Sequence, residues 1–232
     1  MALARPILWR GLYLDLNMAI SIKALIFDYG NVLCGPQQLT DLQEMAAIFA
    51  MPVAEFEPIY WRNRMTYDAS KIDAGYYWLQ AALEACRTLS EQSIAELRRL
   101  DVESWSRPNP VMAAWARSLR NAGVRTAVLS NMPTDLRLAV TSPSSWLPEF
   151  DHMTFSCDIG VCKPERAIYE HCLQGLGVAA SDALFLDDRA ENIEASRQAG
   201  IHSLLFTTPA EATKAMDGHY LLPVALTGAQ NR

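Results

Sequence analysis

Hydrophobic positions along the chain fall into two alternating patterns. Five short runs are apolar nearly throughout: Ile22 to Phe27, Arg125 to Leu129, Met153 to Ser156, Ala183 to Leu186 and Ile201 to Phe206. Runs of that length without polar alternation suit strands covered on both faces of a parallel sheet. Between them lie stretches whose apolar residues return every three or four positions. PVMAAWARSLRNAG closes on Gly123, PERAIYEHCLQGLG opens on Pro164, and AENIEASRQAG closes on Gly200. Proline just inside a helix start and glycine just past its end are the expected punctuation. Strands alternating with helices predict an α/β fold: a parallel sheet core with helices on both faces, joined by right-handed crossovers.

One connection breaks the rhythm. From Leu33 to about Pro108 the pattern is helical, with candidate helices over Leu39 to Phe49, Val53 to Met65, Asp73 to Leu89 and Ser93 to Leu100. Pro58 is expected to kink or restart the second of these. So long a connection predicts a separate all-helical module, residues 35–107, inserted into a core made of 18–34 and 108–232. SWSRPNP, with two prolines, reads as the return hinge. Residues 1–17 read as an extension outside the fold, because Met18 opens MAISIKALIFDYG directly on a strand. Arg10 and Asp15 interrupt any signal-peptide core there.

Composition narrows the function classes. A 232-residue chain with half its residues hydrophobic is expected to bury a sizeable core. Its net charge of −6 and lack of a basic run argue against nucleic acid as a partner. No apolar run approaches the roughly 18 residues that cross a bilayer, so no membrane partner is expected. The five cysteines, Cys34, Cys86, Cys157, Cys162 and Cys172, include no C-x-x-C pair. That argues against a zinc site and for idle thiols in a reducing compartment, the cytoplasm.

Ligands of open parallel sheets collect beyond the carboxyl ends of the strands. The residues found there are Asp28 after the first strand, Ser130-Asn131 after the second, Lys163 after the third and Asp187-Asp188 after the fourth. Each has an ordinary explanation alone: a turn, a helix cap, a solvated lysine, favourable charge at a helix start. Together they make a phosphoryl-transfer set. A carboxylate can attack phosphorus to form an aspartyl-phosphate. Asp28, Asp187 and Asp188 offer the hard oxygen ligands that Mg²⁺ prefers. Lys163 supplies fixed positive charge, and the Ser130 hydroxyl with nearby backbone N–H groups can hold phosphate oxygens.

The segments FDYGNVL, LSN, CKPERAIY and LFLDDRAENIEAS, in this order, resemble the four motifs of the haloacid dehalogenase-like (HAD) hydrolase superfamily. The resemblance runs from Ile22 to about Thr207, and the helical insert resembles the first type of cap in that family. It implies a Rossmann-like core. It also implies Asp28 as nucleophile, Ser130 as phosphate anchor, Lys163 as charge stabiliser and Asp187 with Asp188 as the magnesium site.

One position departs from the pattern. Phosphatases of the superfamily usually carry a second aspartate two residues past the nucleophile, where it protonates the leaving group. Here that residue is Gly30. Its backbone carbonyl can still face the metal, but the usual acid, typically worth about 10²–10⁴-fold, is missing. The Asp-x-Gly-Asn-Val pattern resembles a branch that includes a glucose 1-phosphate phosphatase. The expectation is a magnesium-dependent phosphatase for a small phosphorylated metabolite, with a sugar 1-phosphate as the first trial.

Two other functions compete. A 2-haloacid dehalogenase also attacks with one Asp and needs no metal, but its fourth motif lacks the Asp187-Asp188 pair. A non-catalytic relative would bind a phosphorylated ligand or partner and leave Gly30 without consequence. Within the insert, Arg62 and Arg64 are candidates to reach a bound substrate when the module closes. Tyr60, Trp61, Tyr67, Tyr76, Tyr77 and Trp78 read mainly as the module's own core. The four histidines show no link to the site.

Overall fold

The computed structural model describes residues 19–143, 145 and 147–226, so the expected extension over 1–17 lies outside the described residues. Five parallel strands form the central sheet: β2 (Ala24–Phe27), β3 (Arg125–Ser130), β4 (His152–Phe155), β5 (Ala183–Asp187) and β6 (His202–Leu205). Their spatial order is β4-β3-β2-β5-β6, with Phe27 opposite both Val128 and Leu186. The chain thus starts at the centre of the sheet and moves first one way, then the other. That reversal leaves a crevice beyond the carboxyl end of β2.

Alternation along the buried strands supplies two cores. Leu25, Phe27, Val128 and Leu186 pack with Trp115 and Leu119 of α6 (Pro110–Asn121) and with Met216 of α11 (Pro209–Met216). Ala24, Ile26, Leu129 and Phe185 face the other way, onto Ile168 and Tyr169 of α9 (Arg166–Leu176) and Ile193 of α10 (Ala190–Gln198). Helices on both faces explain why β2 and the Ala183–Leu186 part of β5 are apolar at successive positions rather than every second one.

The helical connection leaves and rejoins the core where Cys34 and Pro108 form an isolated antiparallel bridge. Between them lie α1 (Leu39–Ile48), α2 (Val53–Arg62), α3 (Arg64–Asp68), α4 (Ala74–Glu84) and α5 (Glu91–Ser104). They enclose their own cluster, including Phe49, Phe56, Tyr60, Tyr77, Trp78 and Leu97. Pro58 neither ends nor restarts α2, which continues to Arg62 with the proline on its exposed side. The break comes at Asn63, whose φ of −106° and ψ of 13° separate α2 from α3.

Some elements carried no legible pattern. Strands β1 (Ile20–Ser21) and β7 (Tyr220–Leu221) form a parallel pair too short for periodicity. The four-residue helix α8 (Ser156–Ile159) sits where the expected third strand would have ended. Among the described residues no helix is long and apolar enough to cross a membrane.

Candidate active site

Asp28 is the first residue beyond β2, and its N–H still donates to Leu186 O at 2.8 Å. Its Oδ1 accepts the Tyr29 N–H at 2.6 Å, which turns the carboxylate over the end of the sheet. Gly30 follows in an extended conformation and Asn31 in a left-handed one, with φ of 58°. Asparagine tolerates that region. The turn aims its Nδ2 at Asp188 Oδ2, 2.8 Å away.

Asp187 ends β5 and is fully buried. Its Oδ1 accepts the Arg189 N–H at 2.8 Å, and Asn192 Nδ2 lies 3.0 Å from both of its oxygens. Asn192 thus supports the acidic loop directly. Lys163 Nζ reaches Asp28 Oδ1 at 2.8 Å, Asp187 Oδ2 at 2.7 Å and Leu129 O at 3.0 Å. These contacts use all three ammonium donors. Asn131 clamps the lysine backbone, donating to Lys163 O at 2.9 Å and accepting from Lys163 N at 2.8 Å. Ser130, buried at the end of β3, donates over 3.4 Å to Asn131 O.

Three carboxylates thus stand against one ammonium. Ligand oxygens of Asp28, Asp187 and Asp188 lie within 4.8 Å of one another. Burial pushes Asp28 up to about 7, the nearby Asp187 and Asp188 charges add to this, and Lys163 opposes it. Burial also raises Asp188, helped by Asp187 and opposed by the Asn31 amide. Burial would lower Lys163, yet the Asp187 and Asp28 carboxylates outweigh it and leave the ammonium raised. An all-oxygen cluster with surplus negative charge fits a hard divalent cation such as Mg²⁺.

Above the cluster opens a cleft of about 570 Å³. Of the residues singled out in the sequence, Asp28, Gly30, Ser130, Asn131, Lys163 and Asp188 line its floor, with Asp187 beneath them. Arg62 and Arg64 line it from the helical side. Arg62 pairs with Glu84 near the surface. Arg64 is buried, its Nε 2.9 Å from Asp68 Oδ1 and its Nη1 2.8 Å from Asp101 Oδ1 and 2.7 Å from the Tyr60 hydroxyl. The roof is completed by Trp61, Met65, Asp68 and Trp105. Nothing in the spacing of the insert marked Asp68 or Trp105, because their position depends on how five helices pack. Asn31 was visible within FDYGNVL, but its contact with Asp188 joins residues 157 positions apart.

Residues 22–200 match the haloacid dehalogenase-like hydrolase family. The chain belongs to that family. This HAD-like hydrolase is 25% identical over 190 residues to a phosphatase of Mycobacterium tuberculosis, covering 80% of this chain and 88% of that one. It is 34% identical over 131 residues to mouse acyl-CoA dehydrogenase family member 10, a match covering 55% of this chain but 12% of the mouse protein. Its fold is similar to that of a HAD family enzyme of Bacteroides thetaiotaomicron solved with magnesium and inorganic phosphate. That match has a TM-score of 0.66 and 15% identity, over 80% of this chain and 94% of the other. The α/β core read from the sequence is therefore the family's fold.

Proposed function

We propose that this HAD-like hydrolase is a magnesium-dependent phosphatase acting on a small phosphorylated metabolite, with Asp28 as the nucleophile. The observation that carries this reading is the contact of one buried ammonium, Lys163, with two of three clustered carboxylates. Asp28, Asp187 and Asp188, with the Gly30 carbonyl, would hold the ion. When bound, Mg²⁺ screens the carboxylate from the phosphate dianion. Asp28 attacks phosphorus, Lys163 offsets charge on the phosphoryl oxygens, and Ser130 with the backbone amides beyond β3 orients them. Residues 35–107 act as a cap that excludes water above the core of 18–34 and 108–232. Arg62, the more exposed of the two cap arginines on the cleft wall, is the one placed to meet the substrate, whereas Arg64 is held by Asp68 and Asp101. Five free thiols suit a reducing compartment such as the cytoplasm.

An anomeric phosphate leaves more readily than a simple alkyl ester, so it tolerates glycine at position 30. A sugar 1-phosphate is the first candidate. A 2-haloacid dehalogenase would also use Asp28, but it has no use for Asp188, which the structure keeps against Asn31 and beside the other two acids. The relationship to the Mycobacterium tuberculosis phosphatase also favours phosphoryl transfer. A relative that only binds a phosphorylated ligand would need neither the nucleophile nor the metal.

The test is turnover of p-nitrophenyl phosphate, whose leaving group needs little acid. Hydrolysis that requires Mg²⁺, stops with EDTA and is abolished by Asp28→Asn supports the reading. Activity on 2-haloacids that survives EDTA would replace it with dehalogenation, and full turnover by Asp28→Asn would remove the nucleophile.

A further inference from the structure

The oxygen that leaves a phosphate monoester departs as an alkoxide unless it receives a proton, and Gly30 has no side chain to give one. Few other groups lining the cleft can do so. The three Lys163 protons are committed to Asp28, Asp187 and Leu129. The Tyr29 hydroxyl donates to Trp105 O at 2.7 Å, and burial lifts its pKa far out of range. Guanidinium groups do not give up protons in this range. Beyond Asp28 and Asp188, the remaining carboxyl in the lining is Asp68.

Asp68 is brought there by the docking of α3 on the core. Its carbonyl accepts from Ser156 Oγ at 2.6 Å, and the same hydroxyl accepts the Met132 N–H at 2.9 Å, two residues past Ser130. Cys162, next to Lys163, directs its thiol at Met65 O over 3.4 Å. Both loops that carry the proposed phosphate contacts therefore hold α3. Asp68 Oδ1 accepts from Arg64 Nε, while its second oxygen bonds no described residue. Arg64 is shared with the buried Asp101, so two carboxylates answer one guanidinium. Such an imbalance favours one neutral acid.

We infer that Asp68 is the general acid–base of this cleft, supplying from the helical cap the proton that position 30 cannot. The inference rests on the phosphatase reading above. Burial raises the Asp68 carboxyl to about 6, Asp101 adds to this, and Arg64 and Arg189 oppose it. Arg64 and Asp101 face it from the cap, with Tyr67 and Tyr77 nearby, and Arg189 and Cys162 face it from the core.

The steps balance. An Asp28 oxygen bonds to phosphorus, the bond to the leaving oxygen breaks, and that oxygen takes its electron pair and the Asp68 proton to become an alcohol. The Asp68 carboxylate then accepts a proton from water as the water oxygen attacks phosphorus. The bond to Asp28 breaks, phosphate is released, and both side chains return to their starting forms.

The test compares kcat/KM for p-nitrophenyl phosphate and for a simple alkyl phosphate in the wild-type protein, Asp68→Asn, and Asp68→Asn combined with Gly30→Asp. Asp68→Asn is expected to cut alkyl turnover by about 10²–10⁴-fold and p-nitrophenyl turnover by less than about tenfold. Gly30→Asp is expected to restore part of the alkyl loss, because its new Cβ would meet Trp105 no closer than 3.5 Å. Equal losses on both esters, or no loss, would overturn the role. If Asp68→Asn does not fold, the wild-type dependence on leaving-group pKa decides. A shallow dependence agrees with acid assistance, and a steep one overturns it. Absence of any wild-type p-nitrophenyl turnover would instead sink the phosphatase reading, and this role with it.

Discussion

Lys163 joins Asp28 to Asp187: its ammonium stands 2.8 Å from the first carboxylate and 2.7 Å from the second, at 2% residue exposure. Removing it leaves two buried carboxylates without their counter-charge, which typically costs about 3–5 kcal/mol. Lys163→Met is therefore expected to unfold at markedly lower urea in EDTA. A divalent ion at roughly 100 times its Kd adds about 2.7 kcal/mol. Mg²⁺ should accordingly recover part of the loss. Unchanged stability in EDTA would contradict the bridge.

Asn192 donates to both oxygens of Asp187 from the first turn of α10. A partner that orients a ligand is worth about 10–100-fold in metal affinity. Asn192→Ala is expected to weaken Mg²⁺ binding by that order in isothermal titration. Affinity equal to wild type would show that Asp187 needs no such support.

Stability should depend on pH through Asp68. Its carboxyl is raised from 3.8 to about 6. A raised acid favours the folded state below its unfolded pKa, and that contribution fades as pH rises through the folded value. The stability of wild type relative to Asp68→Asn should thus fall as pH goes from about 4 to 7, by roughly 1–3 kcal/mol. Denaturant midpoints measured across this window give the answer. A gap that stays flat, or grows in favour of wild type, would contradict the shift.

The roof of the cleft is apolar where Trp61, 41% exposed, meets Trp105 edge to face with centroids 6.3 Å apart. Losing such a face costs about 1–2 kcal/mol where a substrate covers it. Trp61→Ala is expected to raise KM for phenyl phosphate about tenfold while inhibition by inorganic phosphate stays unchanged. Equal weakening of both ligands would mean that Trp61 orders the floor rather than contacting the organic group.

Much of the core was legible because its signals are local. The apolar runs ending at Phe27, Leu129 and Leu186 are strands buried on both faces, and each places its polar successor at one edge of the sheet. Reading the residues just beyond those strands therefore picked out Asp28, Ser130 and the acidic pair, whereas Lys163 arrives only after β4 and the short helix α8. The roof was not legible in the same way. Asp68 enters the cleft because α2 breaks at Asn63 and α3 docks on Ser156, contacts spanning 88 residues. Arg64 was singled out as a cation, but its partners Asp101 and Tyr60 come from packing that no spacing announces.

The most direct measurement is a single turnover in heavy-oxygen water, with mass spectrometry of both the released phosphate and the peptide containing Asp28. Attack of water on an aspartyl-phosphate occurs at phosphorus, so the account predicts labelled phosphate, a transient phosphoryl adduct on Asp28 and an unlabelled carboxylate afterwards. Label appearing in the Asp28 carboxylate, as hydrolysis of a carbon ester would leave it, would contradict the account.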